Sequence, residues 1–247
     1  MSRLAVALAL LGAACHAGAP TGPRVPLPSG PPPSVACTGD PDDCTYQATG
    51  LPAITADGRA VVIAIDTPAG DGGGAPGFRV VELAVGKDHP THELVIEEPP
   101  REARLPAAKR DSRLRQLNIY LAHRGLTPLA AHPCEGPDPE SSDVIDCRSL
   151  MRAGQTGAAE VGPLHVEFIE PHLRITRAGA AVLDLDVPGW SAPPRKSEFG
   201  DGCGNPAYLQ TVWADLARGV LVFAVGYDGS DSCWEPGDTY HALALPR

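Results

Sequence analysis

The chain has 247 residues, room for one or two domains and not for many. Lys and Arg number 20 against 30 Asp and Glu, a formal charge of −10, which argues against nucleic acid as a partner held by bulk electrostatics. Gly and Pro number 27 each, well above average usage, so short elements joined by many turns are expected rather than a helical bundle.

The first element is an address. Arg3 precedes the apolar run Leu4 to Leu11, and Gly12-Ala13-Ala14 leads to Cys15. A positive start, a short apolar run and then small residues are the order of a secretory signal peptide, and the run is too short to span a bilayer as a lasting helix. Residues 1–14 are therefore expected to be removed. A Cys directly after small residues at the end of such a run resembles the lipobox of bacterial lipoproteins. The resemblance implies a diacylglyceryl group on the Cys15 thiol, cleavage before Cys15 and acylation of the new amine, and two or more chains anchor stably where one does not. The usual pattern has Leu three residues before the Cys. Here Gly12 holds that place and Leu11 stands one position early. His16 in place of Asp implies an outer-membrane destination, and otherwise a periplasmic or secreted chain.

Residues 15–36 read as a tether. Positions 16–36 hold 7 Pro and 3 Gly, favour extended polyproline geometry and offer nothing to a core. Residues 37–247 then form a single mainly β domain. Its six cysteines, Cys37, Cys44, Cys134, Cys147, Cys203 and Cys233, are an even set in an exported chain, so disulfides are the first reading. Six cysteines permit 15 pairings and sequence alone does not select one; proximity suggests 37–44, 134–147 and 203–233. No two are spaced C-x2-C, which disfavours zinc.

Asp57-Gly58 is a hairpin-turn dipeptide followed by the β-branched run Val61-Val62-Ile63. Phe78 to Val85 and Glu93 to Ile96 continue as strands, so 51–97 reads as an antiparallel meander. With Pro52 and Asp57-Gly58 in place, this stretch resembles one blade of the TolB-type β-propeller repeat, although Thr55-Ala56 stand where that repeat has Ser-Pro. Val212-Trp213-Ala214-Asp215, with Arg218-Gly219 and Val220 to Val225, is a fainter echo. A closed propeller needs at least about 4 blades, and four copies are not present.

Residues 107–124 lack Gly and Pro, and Gly125 closes them. Leu114, Leu117 and Leu121 share one helical face, with Arg110, Arg113 and Arg124 expected mostly outside. Residues 134–162 read as a long loop. Leu164 to Ile169, His172 to Thr176 and Ala181 to Val187 are strands, the first alternating His165 and Glu167 with Leu164, Val166 and Phe168. Residues 188–206 form a Gly/Pro loop. Segments 207–214 and 218–226 form a hairpin that brings Cys203 and Cys233 to one end, and Tyr240 to Leu245 closes the chain. The fold class is thus mainly β: antiparallel meanders, as partial propeller-like or sandwich sheets, with one amphipathic helix and disulfide staples.

No motif specifies catalysis, a cofactor or a metal. Asp88-His89-Pro90-Thr91-His92-Glu93 has the order opposite to HExxH and a Pro against helix, so it reads as an exposed turn. There is no G-x-S-x-G elbow, and Gly70 to Gly74 lacks the Lys of a phosphate loop. Asp228 to Ser232 lacks the acid pattern of a calcium loop. The unusual feature is aromatic clustering, with eight of 12 aromatics in 190–247. Trp190, Tyr227 and Trp234, beside Asp228 and Glu235, are the candidate ligand surface, suited to a protein, peptide or glycan. The sequence thus points to an exported, lipid-anchored cell-envelope β protein with a non-catalytic binding or structural role, its membrane contact made through the N-terminal lipid. The alternative is a secreted hydrolase whose acids and histidines, for instance His165, Glu167, Asp228 and Glu235, converge only in three dimensions.

Overall fold

The computed structural model describes residues 30–40, 43–67, 77–87, 89–97, 105–187, 206–228 and 238–246. Strands β1 (Ser34–Asp40) and β2 (Asp43–Thr49) form a ribbon. The meander expected over 51–97 is present as β3 (Ala53–Ile54), β4 (Ala60–Thr67), β5 (Gly77–Ala84) and β6 (Pro90–Glu97). Helix α1 (Ala107–His123) follows, and β7 (Thr127–Pro128) returns to β3, giving the order β6-β5-β4-β3-β7.

The chain then starts a second sheet with β8 (Ala130–Pro133) and leaves it for a third. That third sheet is built from β9 (Glu135–Pro137), β10 (Val144–Asp146), β11 (Ala158–Val161), β12 (Leu164–Ile169), β13 (His172–Arg177) and β14 (Ala180–Asp186). Its order is β10-β9-β11-β12-β13-β14, with the short helix α2 (Cys147–Arg152) between β10 and β11. Finally β15 (Ala207–Asp215), β16 (Val220–Tyr227) and β17 (Thr239–Ala244) complete the second sheet as β17-β16-β15-β8. Every described pairing is antiparallel.

Three sheets stack face to face, and β16 is the reason. Its eight residues, VLVFAVGY, are all buried. Successive side chains of a strand point to opposite faces, so a continuous apolar run needs cover on both sides. Val220 and Val222 pack with Ile54, Val61, Ile63, Val81 and Leu83 of the first sheet. Leu221, Phe223 and Val225 pack the other way, with Leu164, Val166, Leu173 and Ile175 of the third sheet. The far face of the first sheet, through Val62, Phe78, Val80 and Ile96, is covered by Leu114, Leu117 and Leu121 of α1 and by Val35 and Tyr46 of the ribbon. The order of layers is helix and ribbon, first sheet, second sheet, third sheet.

The two hairpins singled out by sequence meet at their turns. Asp57 Oδ1 accepts hydrogen bonds from the Thr55 hydroxyl at 2.7 Å and the Arg59 amide at 3.1 Å. Asp215 Oδ1 accepts from the Arg218 amide at 2.9 Å, and Asp215 also pairs with the Arg218 guanidinium. Gly58, with φ +71°, lies against the Arg218 side chain, so the two Asp-built turns lie together.

Four sequence expectations change. The first strand begins at Ser34, inside the last three residues assigned to the tether, and Val35 is buried. Residues 134–162 are not a loop: they supply β9, β10, α2 and β11. Strand β6 takes in Pro90, Thr91 and His92, which read as a turn and are exposed as expected; Pro is tolerated at the first position of a strand. Arg110 is buried at 5% exposure, because positions 110, 114, 117 and 121 form one stripe at helical spacing and the stripe faces the sheet.

The two-sided burial of β16 gives a direct test. Leu221→Ala should cost about 2–5 kcal/mol in urea unfolding, the range for truncating a fully buried Leu. Leu216→Ala, at an exposed turn position, should stay within about 0.5 kcal/mol of the parent.

Candidate functional site

Among the described residues a concavity lies where α2 meets the seam between the second and third sheets. It has a volume of about 260 Å³. Met151 and the Cys134–Cys147 disulfide line it from the α2 side, Phe168 and Glu170 from the end of β12, and Tyr208 from β15. Behind it lies a pocket of about 20 Å³ that shares Phe168, Glu170 and Ala207 and adds Val187 and Tyr227.

Local sequence builds these walls. Asp146 caps α2, its Oδ1 accepting from the Ser149 amide at 2.8 Å, and its carboxyl is held below the usual range by hydrogen bonds from Ser149. The helix leans on the Cys134–Cys147 disulfide, whose cysteines are 1% and 5% exposed. Gly157 lies so close to Cys147 Sγ that a Cβ there would stand 2.2 Å from the sulfur, so only glycine fits. A Cβ at Gly226 would stand 2.6 Å from the Tyr208 ring, so the missing side chain lets that ring lie across β16. Glu170 is positioned by the backbone: its Oε2 accepts from the Ala207 amide at 3.1 Å.

Asp228 stands beside this site in a clasp. Its Oδ1 accepts from Arg148 Nε at 2.8 Å, and both oxygens accept from Arg152, at 2.5 and 2.7 Å. The Arg152 hydrogen bonds lead in holding its carboxyl down to about 2; burial opposes them and Arg148 adds to them. The Asp228 amide donates to the Pro206 carbonyl at 3.0 Å, which joins the clasp to the cleft wall.

The candidate ligand residues have different fates. Tyr227 is 5% exposed, part of the core of the second and third sheets, and burial raises its phenol. Its ring therefore serves packing. Asp228 serves the clasp. Trp190, Trp234 and Glu235, like Cys15, Cys203 and Cys233, lie outside the described residues. Cys37–Cys44 and Cys134–Cys147 are disulfides.

His165 and Glu167 do meet, at 3.1 Å, but on the outer face of the third sheet and away from a cleft. The other His165 nitrogen, Nδ1, faces Glu160 at 2.5 Å. Hydrogen bonds to Glu160 and Glu167 raise the imidazole above its ordinary value and favour the imidazolium. With both nitrogens committed, the ring is a cross-strand ion-pair element. Asp228 belongs to the α2 clasp instead, so the dispersed constellation of His165, Glu167 and Asp228 does not assemble.

Two buried acids had no sequence signal. Glu82 accepts from Tyr120 Oη at 2.5 Å and from Arg124 Nε at 3.0 Å and Nη2 at 2.5 Å. Burial pushes its carboxyl up, but the Arg124 and Tyr120 hydrogen bonds together outweigh it and leave the group lowered. Glu97 accepts from Tyr46 Oη at 2.7 Å. Both anchor the helix-and-ribbon layer to the first sheet and neither lines the cleft. Among the described residues no group of three or more His, Cys, Asp or Glu is placed to hold a metal ion, and no helix is long and apolar enough to cross a membrane. Compared with protein families, curated proteins and solved structures, the chain matches none.

The clasp predicts an acid limb of stability. A carboxylate in the unfolded chain titrates near about 3.9 and Asp228 in the fold near 2, so its contribution is complete above the higher value. It is lost as pH falls from about 4 towards 2. Melting temperature against pH should therefore drop more steeply over that window in the parent than in Asp228→Asn, and the variant should melt lower at neutral pH.

Proposed function

We propose that this chain is an exported, lipid-anchored protein of the bacterial cell envelope, held to the outer membrane through Cys15, with a non-catalytic binding role. The observation that carries the reading is the Cys134–Cys147 disulfide. It is buried inside a hydrophobic core and supports α2 and the cleft, an arrangement that supports an oxidising compartment. The Cys37–Cys44 disulfide in the ribbon agrees with it. The leader and the Cys after it supply the route, and the Pro-rich stretch supplies the spacing.

Binding rather than catalysis is supported by how the polar groups are used. Asp228, Glu82 and His165 each have their charge answered by neighbours that fix structure. The cleft beside α2, by contrast, is concave, mixed in polarity and shaped by rigid elements, as a ligand site is. A protein, peptide or glycan is the partner class, with no nucleic acid.

Mass spectrometry of the membrane fraction checks the anchoring. The expected N-terminal peptide begins at Cys15 and carries the diacylglyceryl group and an amide-linked acyl chain, and Cys15→Ala should move the domain out of that fraction. Alkylation of the denatured, unreduced protein should leave Cys37, Cys44, Cys134 and Cys147 unlabelled. A mature chain that starts elsewhere and stays soluble, or free thiols at those four positions, would overturn the reading.

A further inference from the structure

The cleft carries more information than its presence. Glu170 lines both the cleft and the pocket that adjoins it, and it is exposed to solvent. One oxygen, Oε2, is taken by the Ala207 amide, which fixes the group without neutralising it. Among the described residues no basic side chain pairs with Glu170, and the nearby arginines of α2, Arg148 and Arg152, are committed to Asp228. The surroundings mix soft groups, namely the Phe168 ring, the Tyr208 ring, the Met151 thioether and the Cys134–Cys147 sulfurs, with the polar Gln155 and Thr156.

A fixed anion among aromatic faces and sulfur atoms is complementary to an organic cation. The carboxylate answers the charge, the ring faces attract it, and the apolar wall accepts an aliphatic stem. An anionic ligand would meet the Glu170 charge with no cation to offset it, and a purely apolar one would cover the carboxylate and answer none of its charge. The volume also fits. At about 260 Å³ the cleft is ample for a four-carbon ammonium stem.

We propose that this cleft binds a primary ammonium on an aliphatic stem, as presented by a lysine side chain of a peptide, with Glu170 as the charge partner. The proposal rests on the binding role above and names its ligand class. The ammonium displaces cleft water, hydrogen-bonds to Glu170 and lays its stem against Met151 and Phe168.

The test uses the exported chain from residue 16 on, labelled with nitrogen-15, which contains every described residue. The probes are N-acetyl-lysine methylamide and N-acetyl-norleucine methylamide, equal in stem and different in charge. The Ala207 amide reports directly, because it donates to Glu170. The lysine probe should shift Ala207 and Tyr208 and bind at least about tenfold tighter than the norleucine probe, the worth of a hydrogen bond to a charged group. Glu170→Gln keeps an oxygen for the Ala207 amide and should bring both probes to the same weak affinity. Equal binding of the two probes, no shift at Ala207, or unchanged lysine binding in Glu170→Gln would overturn the proposal. This protein carries no lipid, so the outcome is independent of whether Cys15 is acylated.

Discussion

Everything in this fold is arranged around a strand that has no wet face. Strand β16 alternates its apolar side chains between two cores, Val220 and Val222 on one side and Leu221, Phe223 and Val225 on the other. Either face left open would expose a row of large aliphatic groups, each worth about 1.5–3 kcal/mol of burial. The first sheet and the third sheet are the two covers, and neither can be removed alone. The first sheet then has its own second face to bury, and α1 with the ribbon buries it. Layer order follows from this chain of requirements, because hydrophobic burial is additive but must be satisfied on every face.

Apolar packing holds layers together without fixing their rotation, and the buried charges supply that direction. Helix α1 presents a narrow stripe of four residues to the sheet, one of them Arg110. Its orientation is set by polar contacts along its length. Asn118 exchanges two hydrogen bonds with the Val35 backbone at 2.8 and 2.9 Å, Arg113 donates to the Ile96 carbonyl at 3.0 Å, and Arg124 holds Glu82. The Tyr120 hydroxyl completes the Glu82 shell, and its phenol is pushed up to about 12 by burial and by the hydrogen bond to that carboxylate. Once such an acid is buried, losing one partner costs more than the pair contributes, since a desolvated charge is left behind.

What could be read from sequence was what repeats over several residues. Strands β12 and β13, the β15–β16 hairpin and α1 all carry a pattern longer than one turn or two pleats, and each lies where its pattern places it. Strands β9 and β10 have three residues each and α2 has six, too short for any period to show. Their signals are chemical instead. Asp146 is a cap for Ser149, and Arg148 and Arg152 are one turn apart on the same side of α2. That pair gains meaning only beside Asp228, 76 positions beyond Arg152 in the chain. Tyr227 and Asp228 show the same limit at the site. They are neighbours in sequence, yet one ends a buried strand and enters the core, while the other begins the exit and meets α2. Glu170 was passed over because a single acid after a strand looks like any exposed turn residue. Its meaning depends on the Ala207 amide, which belongs to another sheet.

The disulfides lie where the regular elements are short or few-stranded. A two-stranded ribbon is marginal by itself, and the Cys37–Cys44 bond joins the two strands of β1–β2 near its turn. The region holding β9, β10 and α2 has few long elements, and the Cys134–Cys147 bond closes it across a separation of 13 residues. Closing a loop of that order constrains the unfolded chain by roughly 3 kcal/mol in the loop-entropy description. The three stacked sheets bury long apolar strands. The ribbon and α2 are short, and α2 carries both the Asp228 clasp and one wall of the cleft. The cleft is therefore a part of the molecule whose shape depends directly on oxidation, because reduction removes the brace under α2.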